Sequence, residues 1–256
     1  MDPGRRETGE SCTTIILDAV RTYLYLIDKM STINTENPSP RSWVALFDLD
    51  GTLTWRDTLL PFLLGFLRRH PWRLLGLWRL PIALARYWRD RDRGALKSQI
   101  IRMAMRGEKR AVIEAWAESF VSGMKARHAF RPLALAVLEA HRAAGDHPVL
   151  LSASPDLYVA HIGNVLGFEH TLCTEIEWQG DRLEGHLKTK NRRGEEKIAC
   201  LNWVREQYRG MPVIAYGNSA SDLDHLRQAD RALLVNGDTA ARRLAAKWGI
   251  GVSSWT

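Results

Sequence analysis

The stretch Trp43-Val44-Ala45-Leu46-Phe47-Asp48-Leu49-Asp50-Gly51-Thr52-Leu53-Thr54 decides how this chain is read. Its first five residues are continuously apolar, the pattern of a strand buried on both faces of a parallel sheet. Side chains two apart in a strand share a side. Asp48 and Asp50 are therefore expected to reach into one cavity at the strand's carboxyl end, where open α/β sheets place their ligands. Two carboxylates in one pocket repel unless a cation or a shared proton intervenes. Gly51-Thr52 lets the chain turn sharply and bring backbone N–H groups to an anion. The combination points to phosphoryl chemistry at a divalent metal.

Asp-Leu-Asp-Gly is also ordinary turn chemistry. A calcium loop starting at Asp48 would need Glu at its twelfth position, which is Leu59, so that reading fails.

The remaining composition narrows the class. At 256 residues, with 45% hydrophobic and 25% charged side chains, the chain has the make-up of a globular protein with one large domain or a core plus an inserted module. Cys12, Cys173 and Cys200 show no metal or disulfide spacing and suit a reducing cytoplasm. No histidine pair has the spacing of a zinc site on one helix, and no run is long and apolar enough to span a bilayer. Residues 13–28 read as a short amphipathic helix, and a polar linker, 31–42, separates them from the first strand. Met30 is a second candidate start, which would make 1–29 an upstream extension; an accessory helix is the other reading.

From about 57 to 145 the pattern is helical. Strand and helix signals then alternate: a strand at 147–151 ending in Ser152-Ala153-Ser154-Pro155, a helix closed by Gly167, and a strand about 170–178 returning as a hairpin through Gly180 and Gly185. A helix over about 194–207 follows, then a strand at 212–216 ending in Gly217-Asn218-Ser219, a helix about 220–228, a strand at 232–235 and a helix about 239–248. This alternation predicts an α/β, doubly wound parallel sheet with an all-helical insertion after the first strand. The domain division is 1–42 extension and linker, 43–56 with 146–256 core, and 57–145 helical cap.

Three strand ends carry polar residues: Asp48 and Asp50, Ser152, and Gly217-Asn218-Ser219-Ala220-Ser221-Asp222; Lys197 stands near a helix start. In this order they resemble the haloacid dehalogenase superfamily, and within it the branch of phosphoserine phosphatase, whose helical cap lies between the first and second motifs. The resemblance implies a Rossmann-like core and a Mg²⁺-dependent phosphomonoesterase working through an aspartyl-phosphate. It implies Asp48 as nucleophile and Asp50 as the acid that protonates the leaving alcohol and then deprotonates water. Ser152 would bind a phosphoryl oxygen, with Thr52 and Ala153 beside it, and Lys197 would neutralise charge. Arg193 and Lys190 compete for that last role. Mg²⁺ would be held by Asp48, the Asp50 carbonyl, Asn218 and Asp222.

Each later motif has a plainer reading. Ser152 fits a helix cap, and Ser154-Pro155 fits one better, with Pro at the first helical position. Lys197 fits a solvated lysine and Asp222 a helix-dipole contact. Asn218 stands where the family usually has aspartate and supplies one neutral oxygen, so weaker metal binding is expected. An acid at position 50 argues against the dehalogenase branch, which lacks one. The absence of a following lysine and of spanning helices argues against the membrane-pump relatives.

Between Arg68 and Arg110 stand thirteen Lys/Arg against three acids, a balance of +10 that exceeds the whole chain's +7. Trp72, Trp78, Trp88 and many leucines share the segment. Arginine, tryptophan and leucine together suit anionic lipid, although a leucine-cored cap with a solvated basic face accounts for them equally. The expected substrate is a small organic phosphate such as phosphoserine, with phosphatidylglycerophosphate or another lipid phosphate as the alternative. A catalytically weakened binding module is the alternative of another class. Nucleic acid is not expected, because no recognised binding motif accompanies the charge. The expected place is the cytoplasm, with peripheral contact at the inner membrane face as the second reading.

Overall fold

The computed structural model describes residues 42–255. The extension, the predicted helix over 13–28, Met30 and Cys12 lie outside the described residues. Strand β1 (Val44–Asp48) is buried at every position, as its apolar run predicts. Around it lies a six-stranded parallel sheet in the order β3-β2-β1-β6-β7-β8. Its other strands are β2 (His147–Pro155), β3 (His170–Thr174), β6 (Val213–Gly217), β7 (Arg231–Val235) and β8 (Gly251–Ser253). Because β1 pairs with β2 on one side and β6 on the other, the connections leave it in opposite directions. That opens a crevice at the carboxyl ends of these three strands. The fold is the doubly wound α/β sheet expected.

The residues between β1 and β2 are helical: α1 (Leu59–Arg69), a 3-10 segment (Pro71–Arg79), α2 (Leu80–Asp90), α3 (Arg93–Met105), α4 (Arg110–Ala126) and α5 (Pro132–Ala143). The stretch 57–145 divides in space. On α5, His141 bonds Asp146 Oδ2 (2.7 Å) and the Tyr216 hydroxyl (2.8 Å), and its ring meets Phe47, so this helix lies on the sheet. Asp146 also accepts the Trp43 N–H (2.8 Å), tying the α5–β2 turn to the entry of β1.

The predicted strand over 170–178 is two strands. β3 joins the parallel sheet, whereas β4 (Ile176–Gln179) pairs antiparallel with β5 (Arg182–Leu187) as a separate hairpin. That hairpin fastens to the helical insertion: Gly107 N–H donates to Leu183 O (2.8 Å), and Leu187 N–H to Ser98 Oγ (3.1 Å). Helices α6 (Asp156–Leu166), α7 (Glu195–Gln207), α8 (Leu223–Gln228) and α9 (Thr239–Lys247) flank the sheet. Strand β8 was not expected from the sequence, being only three residues long and not periodic.

Candidate active site

The chain leaves β1 at Asp48, and Asp50 stays extended (φ −75°, ψ 113°) before Gly51 turns at φ +84°. Asp48 and Asp50 both line one cavity of about 730 Å³. The left-handed turn favours glycine at this position, and a Cβ there would sit 2.0 Å from Asn218 Nδ2, so the Asn218 side chain would have to move.

Asp48, Lys197 and Asp222 form a buried triad. Lys197 Nζ donates to Asp48 Oδ1 and to Asp222 Oδ1, both at 2.6 Å, and its residue is 2% exposed. Asp222 Oδ2 takes Asn218 N–H (3.2 Å), Ser219 N–H (2.9 Å) and Ser219 Oγ (2.7 Å), in a reciprocal capping box that folds the loop after β6. Among the described residues the second Asp48 oxygen accepts only the Thr52 hydroxyl, at 3.2 Å. Burial works to strip charge from Lys197, but the two carboxylates more than offset it and hold the ammonium above its ordinary range. Asp222 is buried too, yet the Lys197 charge and the hydrogen bonds from Lys197 and Ser219 hold it below the usual carboxylate range. For Asp48, burial outweighs the pull of Lys197, and with the neighbouring carboxylates it pushes the group up to about 7. His225, buried beside Lys197, is pushed down to about 3 and stays neutral.

Asp50 has a different shell. Its Oδ1 accepts the Thr58 N–H (2.8 Å) and hydroxyl (2.7 Å), and its Oδ2 accepts the Ser154 hydroxyl (2.6 Å). The Thr58 hydroxyl is also 2.8 Å from the Tyr158 hydroxyl. Burial raises the Asp50 carboxyl above its ordinary value, against these hydrogen bonds. One acid is thus tied to a cation and the other to hydroxyls, and burial raises both.

Of the three candidate cations, Lys197 enters the triad. Arg193 lines the cavity wall, and Lys190 is exposed and pairs with Glu196 at 3.1 Å. Ala153 and Asn218 line the cavity; Thr52 and Ser152 stand behind the wall. The Ser152 hydroxyl accepts the Ser154 N–H (3.0 Å). Ser154 does not cap α6, as the sequence suggested: β2 runs through Pro155, and the hydroxyl turns to Asp50.

Sequence reasoning missed Thr58, Ser154 as a partner of Asp50, and Lys97. Lys97 reaches from α3 of the insertion to the Ala153 carbonyl and to Asn191 Oδ1 (2.5 Å), and burial lowers it to about 8. Its only signal was membership in the basic segment, which marks thirteen residues alike. Leu59, Tyr87, Leu96 and Ile100 complete an apolar wall on the same side.

Comparison with known proteins follows the same motifs. The family model for haloacid dehalogenase-like hydrolases matches residues 45–227. The chain belongs to that family. Protein CicA of Caulobacter vibrioides is 38% identical over 192 residues, covering 72% of this chain and 82% of that protein. A Bordetella pertussis Tohama I protein of unknown function superposes with a TM-score of 0.70 at 23% identity, over 84% of this chain and 100% of that one. A probable phosphoserine phosphatase of Vibrio cholerae gives 0.60 at 13% identity, over 84% of this chain and 62% of that one. At these identities the two structures share the hydrolase family's fold with this chain.

Proposed function

We propose that the chain is a phosphomonoester hydrolase in which Asp48 attacks phosphorus. The reading is carried by one observation: a carboxylate held by a buried lysine and a single hydroxyl lines the same cavity as a second carboxylate held only by hydroxyl and amide groups. An Asp48 oxygen forms a bond to phosphorus as the ester P–O bond breaks, and Asp50 gives its proton to the departing alkoxide. A water then attacks phosphorus, Asp50 takes its proton, and the P–O bond to Asp48 breaks, releasing phosphate and restoring both groups. Lys197 stays charged throughout and offsets the anion that builds on the phosphoryl oxygens.

The donor set suits Mg²⁺. It is all oxygen, and the ion tolerates one or two carboxylates with several waters. No group of three His, Cys, Asp or Glu that could hold a metal ion is present among the described residues, so waters and the phosphate would complete the coordination. Asp48, the Asp50 carbonyl and Asn218 would hold the ion, whose chemistry is to neutralise repulsion between nucleophile and substrate. Both Asp222 oxygens are already engaged, so this residue serves by fixing Lys197 and the loop.

The substrate proposed is a small organic phosphate such as phosphoserine. A lipid phosphate is the second reading, favoured by Leu59, Leu96 and Ile100 in the cavity lining. Asp48→Asn is expected to lower phosphate release from an aryl phosphate by about 10⁴-fold, with circular dichroism unchanged. Turnover in that variant within tenfold of the parent would remove the mechanism. Release that persists in EDTA would remove the metal.

A further inference from the structure

The 3-10 segment Pro71–Arg79 has three residues per turn, so side chains three apart stack in straight ridges. One ridge is Arg73, Gly76 and Arg79. Its first two members face the molecule: Arg73 Nη2 bonds Glu108 at 2.7 Å, and a Cβ on Gly76 would lie 2.9 Å from the Met103 carbonyl. A second ridge is Trp72, Leu75 and Trp78, which are 62%, 80% and 66% exposed. No residue of the whole segment is buried. Helix α2 continues outward with Ile82 and Trp88 exposed and only Ala83 buried. Three tryptophans at such exposure present roughly 400 Å² of ring surface, where a folded monomer ordinarily shows a single patch of that order.

Charge lies beside this ridge. Trp78 and Ile82 share a groove of about 620 Å³ with Arg79, Arg86, Arg102 and Arg106. Glu184 pairs with Arg102 (3.3 Å) and Arg106 (2.8 Å). Arg79 and Arg86 have no carboxylate within ion-pair distance among the described residues, and no acid lines the groove. Aromatic and aliphatic side chains at the tip with arginines one step behind match the depth profile of an anionic bilayer, acyl region first and phosphates next.

We infer that this face of the helical insertion docks on anionic phospholipid, with Trp72, Leu75 and Trp78 entering the interface and Arg79 and Arg86 meeting headgroup phosphates. Attachment is peripheral, since no helix among the described residues is long and apolar enough to cross a membrane. Face-to-face pairing of two copies would gather the basic groups of both faces into one interface, which like-charge repulsion opposes. Tyr87, between Arg86 and Trp88, lines the catalytic cavity, so a docked chain would open its cavity close to the lipid surface. The inference stands whether or not the phosphatase reading does.

The test is co-sedimentation of the full chain with phosphatidylcholine vesicles, with and without about 30% phosphatidylglycerol. Binding should require the anionic lipid and shift tryptophan emission to the blue. Trp72→Ser with Trp78→Ser, and separately Arg79→Glu with Arg86→Glu, should each weaken partitioning about tenfold or more. Both should leave release from a small soluble aryl phosphate within about twofold of the parent. Equal partitioning to neutral vesicles, no partitioning, or variants that bind like the parent would overturn the inference. So would a dimer that the Trp78→Ser change dissociates, or retention on anionic vesicles that a single-stranded oligonucleotide competes away without a change in tryptophan emission.

Discussion

At the crevice, Lys197 is buried with a carboxylate at 2.6 Å on either side, whereas on the outer face of the insertion Arg79 and Arg86 have no carboxylate partner among the described residues and the tryptophans beside them are about two-thirds exposed. Both regions carry cations near apolar surface, yet the physics differs. A charge removed from water survives only if its partners repay the desolvation, so the crevice residues depend on one another. A charge left in water needs no partner and contributes little to stability. Folding therefore accounts for the crevice pairing, and it does not account for the ridge.

The contrast can be broken most directly at Lys197. Lys197→Met leaves Asp48 and Asp222 buried without a cation, and should cost about 3–5 kcal/mol in denaturant unfolding as well as abolishing phosphate release. A loss below about 1 kcal/mol would mean water reaches the triad. Gly51→Ala comes next: at φ +84° the added methyl is strained and pushes on Asn218. About 1–2 kcal/mol of stability should go, with a larger fractional fall in turnover than in stability.

Lys97 sharpens the comparison, because it is a half-way case, half-buried and without a carboxylate bond. Its lowered value near 8 means it is charged at neutral pH and loses its proton as pH rises through 8. KM for an anionic ester should climb across that range, and Lys97→Met should raise KM about tenfold at pH 7 and flatten the climb. The linkage has the opposite sign to an ion pair. The folded chain binds fewer protons than the unfolded one between about 8 and 10.5, so this residue costs stability at neutral pH, and the cost fades as pH rises through that window. The smallest effect belongs to the ridge: Trp78→Ala should change unfolding free energy by no more than about 0.5 kcal/mol. A loss above about 2 kcal/mol would show that the side chain packs against the fold after all.

Much of the crevice was legible beforehand. The apolar run into Asp48, the two-residue spacing to Asp50 and the glycine after it specify a buried strand, a shared cavity and a tight turn through local geometry alone. The alternation of later strands and helices likewise specified a parallel sheet. Less was legible where several residues of one type compete. Lys190, Arg193 and Lys197 are equivalent as letters, and only the start of α7 against the end of β1 brings Lys197 to Asp48. Ser152 and Ser154 lie two apart in one strand, and the packing of Thr58 and Tyr158 beside Asp50 draws Ser154 to that carboxylate. The insertion was read as one helical block because periodicity reports helix and not destination, so the docking of α5 on the sheet and of the β4–β5 hairpin on the insertion went unseen.

Local pattern, then, carried the fold class, the turn after β1 and the pair of acids, since each depends on neighbours within a few residues along the chain. Partner choice in the triad, the reach of Lys97 into the cavity and the outward ridge of Trp72, Leu75 and Trp78 came only with the assembled molecule. Those depend on contacts between segments up to about 150 residues apart (Lys197 to Asp48 is 149), and burial, which sets the cost of every charge, exists only once such segments meet.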